Sequence, residues 1–319
     1  MQAEIIHGNM KVHHSLESFE KPEFSVVTSG TFDGVHIGHQ RILSRIQEIS
    51  RKHSGETIVI TFWPHPRIVL SKGHTDMKLL STIDEKIDLL DRQGIDHLLI
   101  LPFTDEFSQL SPEEFIQRIY VDGLGTKKLV IGYDHRFGKN REGGLDYLQA
   151  NKERYHFTVE EIPRQDIEEV GVSSTKIRNA LLEGHVHLAN QYLGYAYSFR
   201  GKVIHGDKLG RDIGFPTANI EVPEAYKLIP DDGIYAVKTK VLGQVFDGML
   251  YLGKRPTLNG QAENHRIEVN LFDFDSDIYD ENIEVSLIER IRGDEKFDSI
   301  EEMRLQLEKD GVKAKELLS

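Results

Sequence analysis

Two histidines three residues apart, His36 and His39, follow a glycine-rich turn that contains Asp33 and Gly34. The apolar run before the turn predicts a buried strand, and the amphipathic segment after it predicts a helix. Backbone amides and the positive end of the helix dipole meet at such a helix N-terminus, where they favour a phosphate. Both imidazoles can reach one phosphate cluster, because residues three apart share a helix face. A plain turn with surface histidines is the alternative, but strand, turn, aspartate and histidine pair together favour a nucleotide site.

A second glycine-rich run spans residues 201–219 and carries the cations Lys202, Lys208 and Arg211. It is either a mobile hairpin loop with solvated charges or a flap whose amides and cations meet nucleotide phosphates, and spacing alone leaves both open. Thr217 and Asn219 are two residues apart, so their side chains point the same way on an extended segment. They could be ordinary turn residues or two neutral oxygen ligands of a cation, and the spacing alone leaves both open.

Two further segments carry groups whose role depends on context. Ser174 and Thr175 open a predicted helix, where hydroxyls usually serve as caps. Lys176 and Arg178 in the same first turn oppose the helix dipole, an arrangement that becomes favourable when an anion lies among them. Glu268 lies in a predicted strand, where a glutamate normally faces solvent. The residues alone leave both the anion site and a catalytic role of this glutamate open.

Short apolar runs alternate with amphipathic segments in the first half of the chain. Buried strands are predicted at residues 24–28, 57–62, 97–101 and 128–133. Thr82 with Glu85 has capping-box spacing, and residues 111–114 combine an N-cap serine, a first-turn proline and a capping glutamate. This alternation predicts an α/β domain with a Rossmann-like parallel sheet, helices on both faces, and ligands beyond the C-terminal strand ends.

The pattern changes after about residue 184. Strands without intervening helices are predicted at residues 198–204, 234–241, 245–252, 266–274 and 283–288. They predict an antiparallel barrel or sandwich closed by a terminal helix at residues 299–309. We expect two domains, residues 1–184 and residues 185–319.

Composition excludes several classes of function. The chain has 319 residues and a formal net charge of −13, which disfavours a nucleic-acid partner. It contains no cysteine, so disulfides and thiolate chemistry are excluded. No signal-peptide run or membrane-span run is present in the sequence, and we expect a cytoplasmic protein with no membrane partner. Neither of the two common phosphate-binding motifs, G-x-x-x-x-G-K-S/T and G-x-G-x-x-G, occurs in the sequence. The sequence does not determine the oligomeric state.

The run GTFDGVHIGH resembles the HxGH nucleotidylyltransferase superfamily in its flavin adenylyltransferase branch, and SSTKIR at residues 173–178 is similar to that family's S-S-T-x-I-R motif. The resemblance implies attack of a substrate phosphate on the α-phosphate of ATP, with His36 and His39 stabilising charge as catalytic residues. The ATP contacts that it implies are Gly30, Phe32, Asp33, Gly34, His36, His39, Ser174, Thr175 and Arg178.

Two strand-end segments resemble flavin contacts of the same branch. Residues 62–66 match F-x-P-H-P, and residues 132–138 resemble G-x-D-F-x-F-G with His135 in place of an aromatic residue. Trp63 is the only tryptophan, and an aromatic residue at a strand end is more often core than a flavin platform. The flavin contacts implied here are Phe62, Pro64, His65, Asp134 and Phe137.

Residues 201–219 resemble the glycine-rich loop and P-T-A-N motif of riboflavin kinases. The resemblance implies ATP contacts at Gly201, Lys202, Lys208, Gly210, Arg211, Thr217 and Asn219, with Mg²⁺ held by Thr217 and Asn219. Glu268 with Asp273 matches the family's E-x-x-x-x-D-F spacing, which implies that Glu268 is the catalytic base. Arg292 and Phe297 match a stretch near the flavin, whereas Asp294, Asp280 and Tyr251 depart from the usual residues.

The two motif sets occur in the order of the prokaryotic bifunctional riboflavin kinase/FAD synthetase family, over about residues 25–309. The resemblance implies phosphorylation of riboflavin to FMN and adenylylation of FMN to FAD, with ATP as co-substrate and Mg²⁺ as cofactor. One alternative is an enzyme of the adenylyl step alone, whose barrel docks flavin. A second alternative is a non-catalytic flavin or nucleotide sensor, against which the catalytic and metal-ligating residues argue.

Overall fold

The first and second halves of the chain fold around different cores. The computed structural model describes residues 5–17, 19–72, 76–162, 171–206, 214–254 and 265–319. Contacts between Cα atoms divide the chain into a first unit, Met1–Ser173, and a second unit, Ser174–Ser319. The assignment of functional domains to residues 1–184 and 185–319 stays a prediction.

The first unit contains a sheet of seven strands within its described residues. They are β1 (Ile5–His7), β2 (Met10–His13), β3 (Ser25–Ser29), β4 (Glu56–Trp63), β5 (His97–Pro102), β6 (Thr126–Gly132) and β7 (Thr158–Ile162). The strand order is β1-β2-β5-β4-β3-β6-β7, and every pair is parallel except β1 with β2. The predicted Rossmann-like sheet and its four strands are confirmed, and the structure adds the short strands β1, β2 and β7.

Side chains of the central strands alternate between two hydrophobic clusters, one on each face of the sheet. Val27 and Ile60 belong to one cluster, and their neighbours Val26 and Val59 belong to the other. A strand that is buried on both faces must be apolar along its whole length, which is why these strands read as continuous apolar runs in the sequence.

Seven α-helices connect these strands in the described part of the first unit. They are α1 (Ile37–His53), α2 (Pro66–Leu70), α3 (Ile83–Arg92), α4 (Asp105–Ser108), α5 (Pro112–Phe115), α6 (Leu145–Ala150) and α7 (Lys152–Tyr155). A π-helical segment, Ile116–Val121, continues α5, and a 3₁₀ turn covers Lys139–Arg141. Both predicted capping boxes are confirmed, at Thr82 with Glu85 and at Ser111 with Glu114.

The second unit begins with α8 (Ser174–Leu182) and α9 (Val186–Leu193), which precede a closed antiparallel barrel. Its strands are β8 (Ser198–Ile204), β9 (Ala218–Glu221), β10 (Gly233–Val241), β11 (Gln244–Lys254), β12 (His265–Leu271) and β13 (Asn282–Arg292). The order around the barrel is β10-β11-β12-β9-β8-β13. The predicted barrel is therefore confirmed.

The terminal helix α10 (Ile300–Leu318) is longer than predicted. Its predicted end at residue 309 is wrong, because the helix passes through Gly311 and buries Ala314 and Leu318 against a barrel cluster. A glycine inside a helix costs about 1 kcal/mol relative to alanine, and burial of an apolar side chain offsets that cost.

Candidate active sites

The loop between β3 and α1 is fixed in a strained backbone conformation. Gly30 N donates a hydrogen bond to Ile60 O at 3.0 Å. Phe32, Gly34 and Val35 have positive φ angles of 45°, 77° and 35°. Such a conformation costs a non-glycine residue about 1–3 kcal/mol. The side chains of Phe32 and Val35 are 2% and 1% exposed, so their burial offsets the strain and fixes the loop.

Asp33 anchors this loop from the inside. Its side chain is 1% exposed, and its Oδ1 accepts hydrogen bonds from Leu80 N at 3.0 Å and Ser81 N at 3.3 Å. Gly34 N donates to Ser81 Oγ at 3.2 Å. The aspartate that resembles an ATP contact is therefore bonded to the segment before α3, and it holds the neighbouring backbone in place.

His36 and His39 lie together at the N-terminus of α1. His36 is the N-cap, and its Nδ1 accepts from His39 N at 3.4 Å. The two rings stack with centroids 3.6 Å apart and planes 17° apart. His39 is half-buried, and burial lowers its pKa well below the usual value, aided by His36 and Lys86. Its buried Nδ1 has no hydrogen-bond partner among the described residues.

Sequence reasoning missed Lys86, which lies close to this pair. The side chain is 2% exposed, and burial lowers its pKa to about 8 while the Asp33 carboxylate opposes the shift. Its Nζ donates to Thr61 Oγ1 at 3.4 Å. The sequence feature that could have identified Lys86 is its position in α3. It lies one turn before the buried Leu90, and this spacing places a lysine on the apolar side of the helix.

Two of the predicted flavin contacts of the first unit, Phe62 and Phe137, belong to an aromatic cluster that also contains Phe107, Phe115 and Tyr120. Phe137 is 6% exposed, and its ring centroid is 5.2 Å from that of Phe115. Phe62 is half-buried at the end of β4. Both aromatic residues therefore pack as core, and only Phe62 keeps substantial exposed surface. Trp63 packs against the other cluster, on the face that also carries Phe32.

The remaining flavin candidates occupy loop positions. His65 is buried and caps α2, where its Nδ1 accepts from Arg67 N at 3.2 Å. Pro64 and Asp134 are exposed. His135 stands where the family has an aromatic residue; burial, aided by Arg136 and Arg141, lowers its pKa to about 4.

A buried polar group connects β3 to the loop that carries His135. Ser29 Oγ lies 2.7 Å from Tyr120 Oη and 3.3 Å from His135 Nε2. Tyr120 is fully buried, and burial raises its pKa. The substitution of an aromatic residue by His135 therefore comes with a hydrogen-bond partner at the carboxyl end of β3.

Residues 174–178 of the S-S-T-x-I-R motif begin α8 in the second unit, and Ser173 precedes the helix. Ile177 is fully buried and anchors the turn, whereas Thr175 is exposed and Ser174 and Arg178 are half-buried. The turn therefore presents hydroxyl and guanidinium groups on one side and packs its isoleucine on the other. Their contact with ATP stays a prediction.

The second candidate site is built by β9 and β12, which pair antiparallel with Asn219 opposite Glu268. Thr217 Oγ1 donates to Glu268 Oε2 at 3.1 Å, and Asn270 Nδ2 donates to Pro216 O at 2.7 Å. The P-T-A-N segment is thereby tied to the strand that carries the glutamate. The glutamate side chain is 13% exposed, in contrast to the solvent-facing position that is usual for a strand glutamate.

Arg266 is a further residue of this site that sequence reasoning missed. Its Nε donates to Glu268 Oε1, so both carboxylate oxygens are engaged, one by a guanidinium and one by the Thr217 hydroxyl. The two residues are two positions apart on β12 and therefore share a face of the strand. That spacing was visible in the sequence.

Thr217, Asn219 and the carboxylate of Glu268 form an oxygen-rich group that fits Mg²⁺ bound together with a nucleotide. No group of three or more His, Asp or Glu side chains within the described ranges is placed to hold a metal by itself. The residues thus suit a cation that takes most of its ligands from ATP and water.

The glycine-rich loop of the second unit is described only in part. Lys208, Gly210 and Arg211 lie outside the described residues. Lys202 is exposed and pairs with Asp280, with Nζ and Oδ1 2.7 Å apart. A Cβ at Gly201 would lie 2.5 Å from Glu221 O, so this glycine permits close strand packing in the barrel. Its contact with ATP stays a prediction.

Arg292 and Phe297 are adjacent, with the guanidinium carbon 5.6 Å from the ring centroid. Arg292 Nε lies 2.9 Å from Asp310 Oδ2, and Arg292 Nη2 lies 2.8 Å from the same oxygen. Asp310 is 2% exposed and also accepts from Gln306 Nε2 at 2.9 Å. The predicted flavin contact Arg292 is therefore fixed by a buried carboxylate of α10, which sequence reasoning did not identify.

Comparison with known proteins assigns a class to each site. A profile described as FAD synthetase matches residues 18–176, and one described as riboflavin kinase matches residues 193–318. A Rossmann-like unit with a histidine pair and a closed barrel with a P-T-A-N segment thus define an adenylyltransferase and a kinase on one chain.

Relatives with this whole arrangement are known. The bifunctional riboflavin kinase/FMN adenylyltransferase of Bacillus subtilis is 38% identical over 305 residues, which cover 95% of this chain and 94% of that protein. The protein of the same name from Escherichia coli K12 is 36% identical over 295 residues, which cover 92% of this chain and 93% of that protein. This chain belongs to the bifunctional riboflavin kinase/FMN adenylyltransferase family, and it is an enzyme of FAD biosynthesis from riboflavin.

A solved structure shares the fold over nearly the full length. It is described as a macrolide-efflux protein from Streptococcus pneumoniae, and it has a TM-score of 0.87 and 33% identity, covering 96% of this chain and 99% of that one. In the part of our chain that the structure describes, no helix combines the length and apolar character needed to cross a membrane.

Proposed function

We propose that the chain converts riboflavin to FMN at Glu268 and FMN to FAD at His36 and His39. The observation that supports this proposal is that two groups of reactive side chains lie in different units: two stacked imidazoles at a helix N-terminus in the first, and in the second a carboxylate, 13% exposed, that is bonded to Thr217 and lies opposite Asn219. Family membership supports both reactions.

For adenylyl transfer, an FMN phosphate oxygen forms a bond to the α-phosphorus of ATP. The bond from that phosphorus to the bridging oxygen breaks, and pyrophosphate leaves with the electron pair. His36 and His39 lie where a helix N-terminus favours phosphate, so they stabilise the negative charge that develops on the phosphate oxygens. The strained loop holds the two histidines in place before the substrates bind, and this fixed placement orients the reacting groups.

For riboflavin phosphorylation, Glu268 orients the 5′-hydroxyl and accepts its proton while the γ-phosphoryl group transfers and ADP leaves. Thr217 and Asn219 would hold Mg²⁺, which neutralises phosphate charge when it is bound. Arg266 keeps one carboxylate oxygen in place from the same strand. Arg292 and Phe297 lie together and support a flavin contact at the end of β13.

The remaining assignments follow from the same division of labour. Residues 1–184 form the adenylyltransferase domain and residues 185–319 form the kinase domain. Ser174, Thr175 and Arg178 contact the ATP of the first reaction. Use of ATP as co-substrate supports a cytoplasmic location.

The experiment is incubation of the protein with riboflavin, ATP and Mg²⁺, with separation of FMN, FAD, ADP and pyrophosphate over time. FMN should appear first and FAD should follow, with one pyrophosphate for each FAD. Absence of FMN with riboflavin, together with formation of FAD from added FMN, would support an enzyme of the adenylyl step alone. Absence of both products in folded protein would refute the proposal and favour a sensor.

A further inference from the structure

Lys86 is a buried cation beside the loop of residues 30–35 between β3 and α1, which we call the nucleotide loop. It lies in the first turns of α3, and its Nζ donates to Thr61 Oγ1 of β4 at 3.4 Å. The Asp33 carboxylate raises the pKa of Lys86 and Lys86 lowers the pKa of His39, so both groups lie within electrostatic reach of the ammonium. Thr61 Oγ1 also donates to Thr31 O of the loop at 3.2 Å. The lysine thus contacts a residue of β4 that supports the loop of residues 30–35.

A buried ammonium is costly, since it loses its hydration and regains it only in part from a partner. An apolar residue would avoid that cost, as the neighbouring positions Ile83, Ile87 and Leu90 of α3 show, because all three pack in the same core cluster. A lysine at this place therefore indicates a use for its charge.

We propose that Lys86 is a positioning residue for adenylyl transfer, and that it acts through Asp33 and His39. Its ammonium balances the buried Asp33 carboxylate, whose bonds to Leu80 and Ser81 fix the loop. Its charge also disfavours a proton on His39, so that the ring meets the phosphates as a neutral hydrogen-bonding group. This second part rests on the proposed role of His39.

The groups around each partner agree with this assignment. The titratable groups that act on His39 are His36, stacked on it, and Lys86 from α3. Both lower the pKa of His39, in the same direction as burial. The charged group that acts on Lys86 is Asp33, which opposes the lowering of its pKa. Removal of the ammonium is therefore expected to raise the pKa of His39.

The test compares Lys86→Met with Lys86→Arg in the full chain. FAD formation from FMN and ATP is measured, with riboflavin phosphorylation in the other unit as internal reference. The methionine variant should lose between about 10- and 100-fold in kcat for FAD formation, because the loop and His39 are misplaced or wrongly charged. Arginine keeps the charge and should recover part of the rate.

Histidine side-chain NMR gives a readout that a purely structural role would not move. The His39 signal is assigned by its loss in His39→Gln. Its pKa should rise in Lys86→Met and stay low in Lys86→Arg. FAD formation by the parental chain should decline above pH 8, where the Lys86 pKa of about 8 predicts loss of the ammonium. Lys86→Arg should move that decline to higher pH.

Methionine leaves the Asp33 carboxylate without its ammonium, so thermal unfolding of each variant is recorded. Where Lys86→Met does not fold, the double variant Asp33→Asn/Lys86→Met removes both charges and should show the same loss and the same rise in the His39 pKa. FAD formation within threefold of the parental rate in a folded variant overturns the proposal. A loss of activity with an unmoved His39 titration also overturns it, since the lysine would then be structural only.

His39→Gln, assayed alongside, separates the two levels of inference. If that variant still forms FAD, the role of His39 fails, and the proposal for Lys86 fails with it. If His39→Gln is inactive while folded Lys86→Met is fully active, only the proposal for Lys86 is overturned.

Discussion

Replacement of Glu268 by glutamine keeps the size of the side chain and removes its capacity to take a proton near neutral pH. Loss of a general base lowers a rate by about 10²- to 10⁴-fold, which corresponds to about 2.7–5.4 kcal/mol of barrier. FMN formation from riboflavin should fall by that factor. FAD formation from FMN should not change, because its proposed catalytic groups lie in the first unit.

The contacts of Glu268 determine what the substitution costs in stability. The amide oxygen of glutamine can accept from Arg266, and its amide N–H can donate to the Thr217 hydroxyl, so both positions keep a partner. A charge-assisted bond becomes a weaker one, which amounts to about 1 kcal/mol. The melting temperature should therefore fall by only a few degrees while the rate collapses.

The assay follows riboflavin, FMN and FAD by chromatography in two parallel reactions, one started with riboflavin and one with FMN. Glu281→Gln is the matched control, since this exposed glutamate lies next to β13 and its change removes the same charge. FMN production at the parental rate by Glu268→Gln would show that Glu268 is not the base. Failure of both reactions in folded protein would refute the division of the two activities between the units.

Three further substitutions give separate readouts. His39→Ala should lower FAD formation by about 10²- to 10³-fold while FMN accumulates from riboflavin, as measured in the same chromatographic assay; unchanged FAD formation would refute the role of the imidazole. Gly206→Ala places a Cβ 2.1 Å from Asn219 Nδ2, so the amide must move and riboflavin phosphorylation should fall by up to about 10²-fold, with no effect on FAD formation. Asp310→Asn removes the carboxylate that holds Arg292 and should cost about 3 kcal/mol in the free energy of unfolding and raise the KM for riboflavin; an unchanged KM would separate Arg292 from the flavin site.

The parts of the fold that were predictable are those in which one local signal dominates. The central strands of the first unit are apolar along their length, because both faces are covered. β1 and β7 lie at the sheet edges, and β7 carries Glu160 and Glu161, so periodicity gave no strand signal there. The end of α10 was missed because Gly311 reads as a stop, whereas Ala314 and Leu318 pack on the barrel.

The candidate sites divide in the same way. His36 and His39, or Thr217 and Asn219, are close in sequence and carry their geometry in their spacing. Their supporting groups come from distant segments: Lys86 of α3 bonds Thr61 of β4, which in turn bonds Thr31 O of the loop. Asp310 likewise reaches Arg292 from α10, eighteen residues away. Such contacts depend on the packing of elements, which a single sequence does not specify.

The closed barrel and the open sheet differ in how they expose backbone to other molecules. A closed barrel leaves no edge strand, so among the strands of the described residues only β1 and β7 of the sheet offer an edge for pairing between separate copies of the chain. β1 carries an apolar side chain, Ile6, that is 71% exposed, but the strand is only three residues long and offers few backbone groups for pairing. On β7, Glu160 is held by Arg45 at 2.5 Å and Lys128 at 3.0 Å. One edge is therefore protected against intermolecular strand addition by its shortness and the other by fixed charge.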